Sequence, residues 1–565
     1  MLNKRSRHVR FLCLVLLLAL LSIPAAQAEK HSGTVRVLLT RLNLTDRMVI
    51  SLDGSYTLND LAFQRGSRLT VSSQDGSLWV YYEGMALNAG KAALFLRHDT
   101  GDEKENGIRI NGNYELHPGD LRVTLQNGAL QAVLIAPVEE YLLGVVPYEM
   151  SDSYPLEALK AQAVAARTYA LRKAGSSGEY DLVDNTNDQA YYGVKKEHVN
   201  AARAVRETAG VCGAWKGQLA ECYYSASNGG QTELPQHVWG NGNYGYFSLT
   251  DDPYDLENPE SVVKKASLPK TLSSNDDLKG LKGPVLGALS EMLESRGYDG
   301  DMDHIRVTAI QAAETALPLY RDTPTAVMTV LRLSLTVQGR RMLLNDGEEE
   351  ISIFTSPASP VSSPVPGEQW GPMEALPQPL TVALDIFPTV ESALGLSINA
   401  VRNEVITLRE TDTAFEVESR RYGHGVGMSQ RGAQWMAGKY GFTYEQILRF
   451  YYPGMELASL SYTFSLPTQV SRQFLSTPGP AATPTPRPTL MPLSSTPGPN
   501  QYVVKVGNIG VNSYLNLRDA PNTSAAVLRQ LYYNQPLLVI EDQGDWLLVK
   551  TDDAQGYVMS QFTVR

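Results

Sequence analysis

Alternation of apolar and polar positions dominates the early part of the chain. From about 33 to 135, runs such as 34–39, 78–82 and 121–125 alternate or are β-branched, with Gly and Asn-Gly between them. That pattern predicts short strands joined by turns. After Val138 the period changes. Residues 155–173 are rich in Ala, Leu, Lys and Arg and predict the best helix of the chain, with Ser153 as N-cap and Pro155 in the first turn. Its alanines (158, 161, 163, 165, 166 and 170) imply a closely packed neighbour rather than a bulky apolar face. Another helix is expected from about Ser429. The stretch from about 255 to 400 is mixed and looks like a variable insertion or subdomain. Helical patterns at 284–296 and 302–316 precede a strand-like 326–337 and a Pro/Ser-rich loop at 356–366.

Residues 476–499 form a Pro/Thr/Ser/Gly tract with almost no charge, which cannot bury a core and reads as an extended spacer. Beyond it, residues 502–506, 515–518, 537–541, 546–550 and 557–559 alternate strongly at close spacing. Several short strands with regular turns predict a small β-barrel over 500–565.

The amino terminus changes the picture of where the chain works. Lys4, Arg5, Arg7 and Arg10 precede an apolar run at 11–23 and then Ala26-Gln27-Ala28. A basic start, a short apolar segment and a small-residue cleavage pattern predict a signal peptide over 1–28. The run is shorter than the roughly 20 residues that span a bilayer, so an uncleaved anchor is the one membrane contact the sequence offers. Either way, the rest of the chain is expected outside the cytoplasm, in the cell wall or between membrane and wall. At 565 residues there is room for more than one domain. A formal net charge of −11 argues against nucleic acid, whose phosphates need a basic face.

Once Cys13 leaves with the signal peptide, Cys212 and Cys222 remain. Export permits a disulfide between them. The segment between them reads as a hairpin turning near Lys216-Gly217. A three-residue loop would set the cysteines opposite each other, and a two-residue loop would offset them by one. With no other cysteine, a thiolate zinc site is not expected.

Three blocks carry candidate chemistry. In the first, residues 138–171, Glu149 stands among Val145, Val146 and Met150 just ahead of the long helix. Desolvation there would raise its pKa and suit it to general acid work, whereas a nearby helix N-terminus would favour the carboxylate. A charge at the helix start is the plainer reading. The second block, residues 420–454, sets Gly423, Gly425 and Gly427 around His424 and feeds a helix, a cradle for polar or anionic groups. It lacks the P-loop spacing, and a lone His in such a turn is more often structural. The third, residues 221–240, gathers Ser225, Ser227, Asn228 and Thr232 around Gly229-Gly230, polar groups of the kind that line a sugar groove. No G-x-S-x-G elbow accompanies them.

The strings EALKAQAVAARTY after an upstream Glu-Met, GHGVGMSQ-x-GA and ILxxYYPG together resemble the SpoIID/LytB family of sporulation and cell-wall proteins, over roughly 33–465. The resemblance implies an α+β SpoIID-like catalytic region with a β-rich N-terminal part. In that family the catalytic carboxylate lies in the Glu-Met pair, here Glu149. The implied activity is lytic transglycosylation of the MurNAc–GlcNAc bond, with strands stripped of stem peptides as one preferred form. A 1,6-anhydro product forms because the substrate's own C6 hydroxyl attacks, so a single carboxyl serves as acid and then base. Lys160, Arg167, Tyr191, Tyr224, His424, Ser429 and Gln430 occupy family motif positions and are the candidates for shaping the sugar groove. LytB-like members are described as amidase enhancers, which implies a second, non-enzymatic reading with a wall amidase as partner. Some clostridial relatives hold zinc near the DNTNDQAYYG segment. Residues 184–193 here contain neither Cys nor His, so no metal and no cofactor are expected. The last domain resembles bacterial SH3 domains, through LNLRDAPNTSAAVLRQL and GDWLLVKTDDAQGYV. Wall binding through it would raise the effective concentration of the rest at its substrate.

Overall fold

A computed structural model describes residues 33–240, 242, 244–343, 369–399, 401–462, 501–509, 514–523, 525–532, 535–551 and 554–564. The expected signal peptide, the loop at 356–366 and the linker at 476–499 lie outside the described residues. The architecture is mixed α and β, with an all-β C-terminal region. The chain divides into two compact units, residues 1–221 with 456–565, and residues 222–455.

In the first unit the alternating segments become two sheets. One has seven strands, in the spatial order Leu182–Val183, Thr34–Leu38, Ala129–Pro137, Asp120–Gln126, Ala92–His98, Ser55–Leu58 and Leu61–Phe63. The other has five, in the order Met85–Gly90, Ser77–Tyr82, Arg68–Gln74, Arg47–Leu52 and Ile108–Ile110. Their every-second-residue burial buries Val35, Val37, Ile50, Val71, Phe95 and Val123, as period-two patterning requires. The long helix Leu156–Lys173 follows two short ones, Val138–Leu143 and Val146–Glu149. All six of its alanines are buried, and it packs on the helix Val199–Glu207. Its N-cap is Pro155, with no side-chain cap bond. Ser153 instead bonds its hydroxyl to that of Ser151 at 2.8 Å. The strand Val211–Trp215 lies between Gln218–Leu219 and Glu456–Ser459.

The Cys212–Cys222 disulfide is not formed, and both cysteines are buried. Lys216 and Gly217 both take left-handed φ (51° and 77°), which makes a two-residue turn. Ala214 then pairs with Leu219, so the position across from Cys212 is Glu221. The out-of-register alternative is the one realised.

The second unit is built around a four-stranded sheet of Arg306–Pro318, Met328–Leu343, Gln369–Ala375 and Leu380–Asp385, and the helix Lys282–Glu294. Leu286, Leu289, Leu293, Val307, Leu333 and Val382 belong to its core. The helix expected at 302–316 is a strand preceded by the short 3-10 turn Met302–His304. Alanine-rich composition favours helix locally, but Arg306–Pro318 pairs along the 16-residue strand Met328–Leu343 and buries Val307 and Ile310. Tertiary pairing outweighs a propensity of a few tenths of a kcal/mol per residue. The C-terminal region, Tyr502 onward, is one seven-stranded antiparallel arrangement burying Leu515, Leu517, Leu537, Val549 and Val558.

Candidate functional site

Glu149 is the last residue of the short helix Val146–Glu149, seven residues before Leu156 opens the long helix, and Val145, Val146 and Met150 around it are buried. Its carboxyl is half-buried, and Oε1 accepts the backbone N–H of Ala190 at 2.7 Å. One irregular segment, residues 184–194, supplies that contact and several others. Asp188 accepts the Tyr169 hydroxyl at 2.8 Å, the Val183 N–H at 2.8 Å and the Lys173 ammonium. Gln189 donates to the Ala166 carbonyl and accepts the Tyr141 hydroxyl, both at 3.1 Å. The segment is therefore fastened to the long helix by polar contacts along its length, and Ala190 is held where Glu149 needs it.

Tyr191 is 1% exposed. Its ring stacks on Tyr141 with centroids 5.2 Å apart, and its hydroxyl lies 3.2 Å from Nδ1 of His117. Burial pushes His117 down to about 4, so the imidazole is neutral at pH 7. Burial also raises the Tyr141 phenol well above its usual value, with the nearby charge of Glu149 adding to the effect. Lys160 pairs with Glu157 at 2.7 Å and Glu207 at 2.8 Å. Arg167 is wholly buried, its guanidinium forked onto Glu139 at 2.7 and 2.8 Å and donating to the carbonyls of Val205 and Val211. Tyr191 and Arg167 thus both lie inside the fold, held by partners of the protein itself.

The motif residues of the second unit form their own cluster. Tyr224-Ser225 pairs in parallel with Met428-Ser429, which brings the third and second blocks together. Ser429 caps the helix Gln430–Tyr440 by accepting the Gly432 N–H at 3.0 Å, and it donates to Asp255 at 3.0 Å. Asp255 also accepts from Ser227, Ser261 and the Asn228 N–H. Beside it, Asp252 accepts from Tyr451 and Asn228, and burial with the neighbouring Asp255 charge pushes it up to about 6. Ser225, Ser227, Asn228, Thr232, Ser429 and Gln430 are all buried. They are the interior of this unit rather than the lining of a groove.

The glycine-rich loop is not an open anion cradle either. The N–H groups of Gly425, Val426 and Met428 are already engaged by Ser225, by Nδ1 of His424 and by the Tyr223 carbonyl. Gly427 is required there, since a Cβ would stand 2.1 Å from that same carbonyl. His424 lies against Trp239 with centroids 5.1 Å apart, and burial lowers its pKa to about 4. Among the described residues, no group of three or more His, Cys, Asp and Glu side chains is placed to hold a metal ion.

Residues 126–213, which contain Glu149, Lys160, Arg167 and Tyr191, match the family described as Stage II sporulation protein, SpoIID. The chain carries a SpoIID domain. Residues 513–563 match the bacterial SH3 domain family. Over 334 residues the chain is 29% identical to a Bacillus subtilis (strain 168) protein named amidase enhancer, covering 56% of this chain and 40% of the relative. A Brachyspira hyodysenteriae protein named only as uncharacterized is 30% identical over 208 residues, covering 36% of this chain and 55% of that one. The stage II sporulation protein D of Bacillus subtilis (strain 168) is 25% identical over 368 residues, covering 61% of this chain and 82% of that one. The chain thus spans less than two thirds of the length of the first two relatives.

Several residues that order the SpoIID domain were not picked out in the sequence. Asp184, Asp188 and Gln189 all fall in the DNTNDQAYYG segment. Their signal was visible all the same: a dense polar run just before two tyrosines, with no helical or strand period of its own.

Proposed function

We propose that the protein is exported and acts on peptidoglycan as a lytic transglycosylase, with Glu149 as its acid and base. The observation that carries this reading is the position of Glu149. A half-buried carboxyl, held by a backbone N–H at 2.7 Å, stands among buried apolar residues inside the matched SpoIID segment. In the proposed reaction Glu149 protonates the oxygen leaving C1 of MurNAc. The C6 hydroxyl of the same sugar then bonds to C1, and its proton returns to the Glu149 carboxylate. No water is consumed, and one carboxyl suffices. The SH3 domain would hold the enzyme to the wall, with linker residues 476–499 setting its reach.

A second reading, a non-catalytic enhancer of a wall amidase, is favoured by the name of the Bacillus subtilis relative that is 29% identical over 334 residues. The two separate in a digest of purified glycan by the mature protein and by Glu149→Gln, read by mass spectrometry. Anhydro-MurNAc ends from the wild type, reduced by about 10²-fold or more in the variant, support the enzyme. Binding without cleavage by either form, with acceleration of an added amidase, would replace it with the enhancer.

A further inference from the structure

Within the first unit, Arg41 differs from several cations whose charge is met by the protein itself. Lys160, Arg167, Lys173 and Lys195 each pair with a carboxylate of the protein. Arg41 is exposed, and among the described residues its guanidinium makes no ion pair. It nevertheless has a defined place. The short turn Thr40–Leu42 that carries it is fixed by Asp184, which accepts the N–H of Thr40 at 2.9 Å and that of Arg41 at 3.1 Å. The guanidinium carbon then lies 3.5 Å from the centre of the Tyr192 ring. Tyr192 stacks in turn on Tyr148, with centroids 4.5 Å apart and planes 21° from parallel. Tyrosine and guanidinium are too close to share one face, so they sandwich the ring.

Two members of this stack are tied to Glu149 through the chain. Tyr148 is its chain neighbour. Tyr192 follows Ala190, the residue that donates to Glu149, by two positions, which is at most about 7 Å of chain. A stacked guanidinium has lost much of its rotamer freedom before any ligand arrives, and its fork of N–H donors matches a carboxylate. Resting on the reading of Glu149 given above, we propose that Arg41 recognises a carboxylate of the glycan substrate beside the scissile bond. Two sources share that chemistry. One is the lactyl carboxylate of a muramyl unit, free only where no stem peptide is attached. The other is a free carboxylate on a stem peptide.

Binding tests this without needing turnover. The mature protein carrying Glu149→Gln, and the same protein with Arg41→Met added, would be titrated with three short glycan chains of equal length. One has free lactyl carboxylates, one has them converted to methylamides, and one bears stem peptides. Preference of about tenfold for the free carboxylate over the amide, erased by Arg41→Met, supports the lactyl source. An equal preference for the stem-bearing chain, erased in the same way, supports the peptide source. Arg41→Lys should restore part of either preference, and the preference should shrink as salt is raised. If Arg41→Met leaves all three affinities unchanged while the protein melts as its parent does, the assignment of Arg41 is wrong and the glycan reading stands. If the parent binds none of the chains, the glycan reading falls and takes Arg41 with it.

Discussion

Gly144 and Tyr191 show how little slack surrounds Glu149. A Cβ on Gly144 would stand 2.5 Å from the Tyr191 ring, which is itself pinned between Tyr141 and His117. Gly144→Ala is therefore expected to lower stability by about 1–3 kcal/mol through overpacking, seen as a shift in the urea midpoint. Because the displaced ring sits one residue from Ala190, glycan cleavage should fall more than stability alone explains. Unchanged turnover in the folded variant would mean that Tyr191 does not position the Ala190 contact. Glu149→Gln is the complementary case, since it removes the titrating oxygen and keeps the shape. Its melting temperature should stay within about 2 °C of wild type, because surface-accessible isosteric changes usually cost under 0.5 kcal/mol.

At the scale of elements, the strands from 33 to 135, the long helix and the final β region were legible because each carries a clean period. The helix 156–173 was placed to within a residue, yet its cap was not: Pro155 supplies the break by its fixed φ, and Ser153 bonds sideways to Ser151. The strand Arg306–Pro318 was misread because its partner, not its own composition, decides its state. Glu149 could be singled out through family motifs, but its anchoring by residues 184–194 depends on a segment without periodicity. Arg167 marks the same limit. A long cationic residue on an alanine-rich helix looks like a ligand for anions, and only the fold reveals Glu139 and two carbonyls enclosing it. Arg167→Met leaves the Glu139 carboxylate without this partner, so a loss of about 3–5 kcal/mol is expected in chemical denaturation. A loss below 1 kcal/mol would free Arg167 for the substrate role that its motif position implies.

For the molecule as a whole, acid should be destabilising in a definable window. His117 titrates near 6.5 unfolded and near 4 folded because burial disfavours its cation. Its contribution is complete above about pH 6.5 and is lost as pH falls through 4, up to about 3 kcal/mol. His117→Gln, which keeps a hydrogen-bonding group for Tyr191, should flatten the dependence of melting temperature on pH between 6.5 and 4. A parallel curve in wild type and variant would show that other groups set the acid limit.

The antiparallel pairing of Val211–Trp215 with Glu456–Ser459 has a consequence for how the chain reaches this state. A ribosome or an export channel delivers residues in order, so the strand at 211–215 must wait about 240 residues for its neighbour. During that interval residues 222–455 can fold by themselves around the core they own. The earlier unit is thereby finished last, when the late strand arrives to close its edge. A truncation that stops just before Glu456 should yield a folded middle beside an incomplete beginning, and limited proteolysis of nascent chains would show the order.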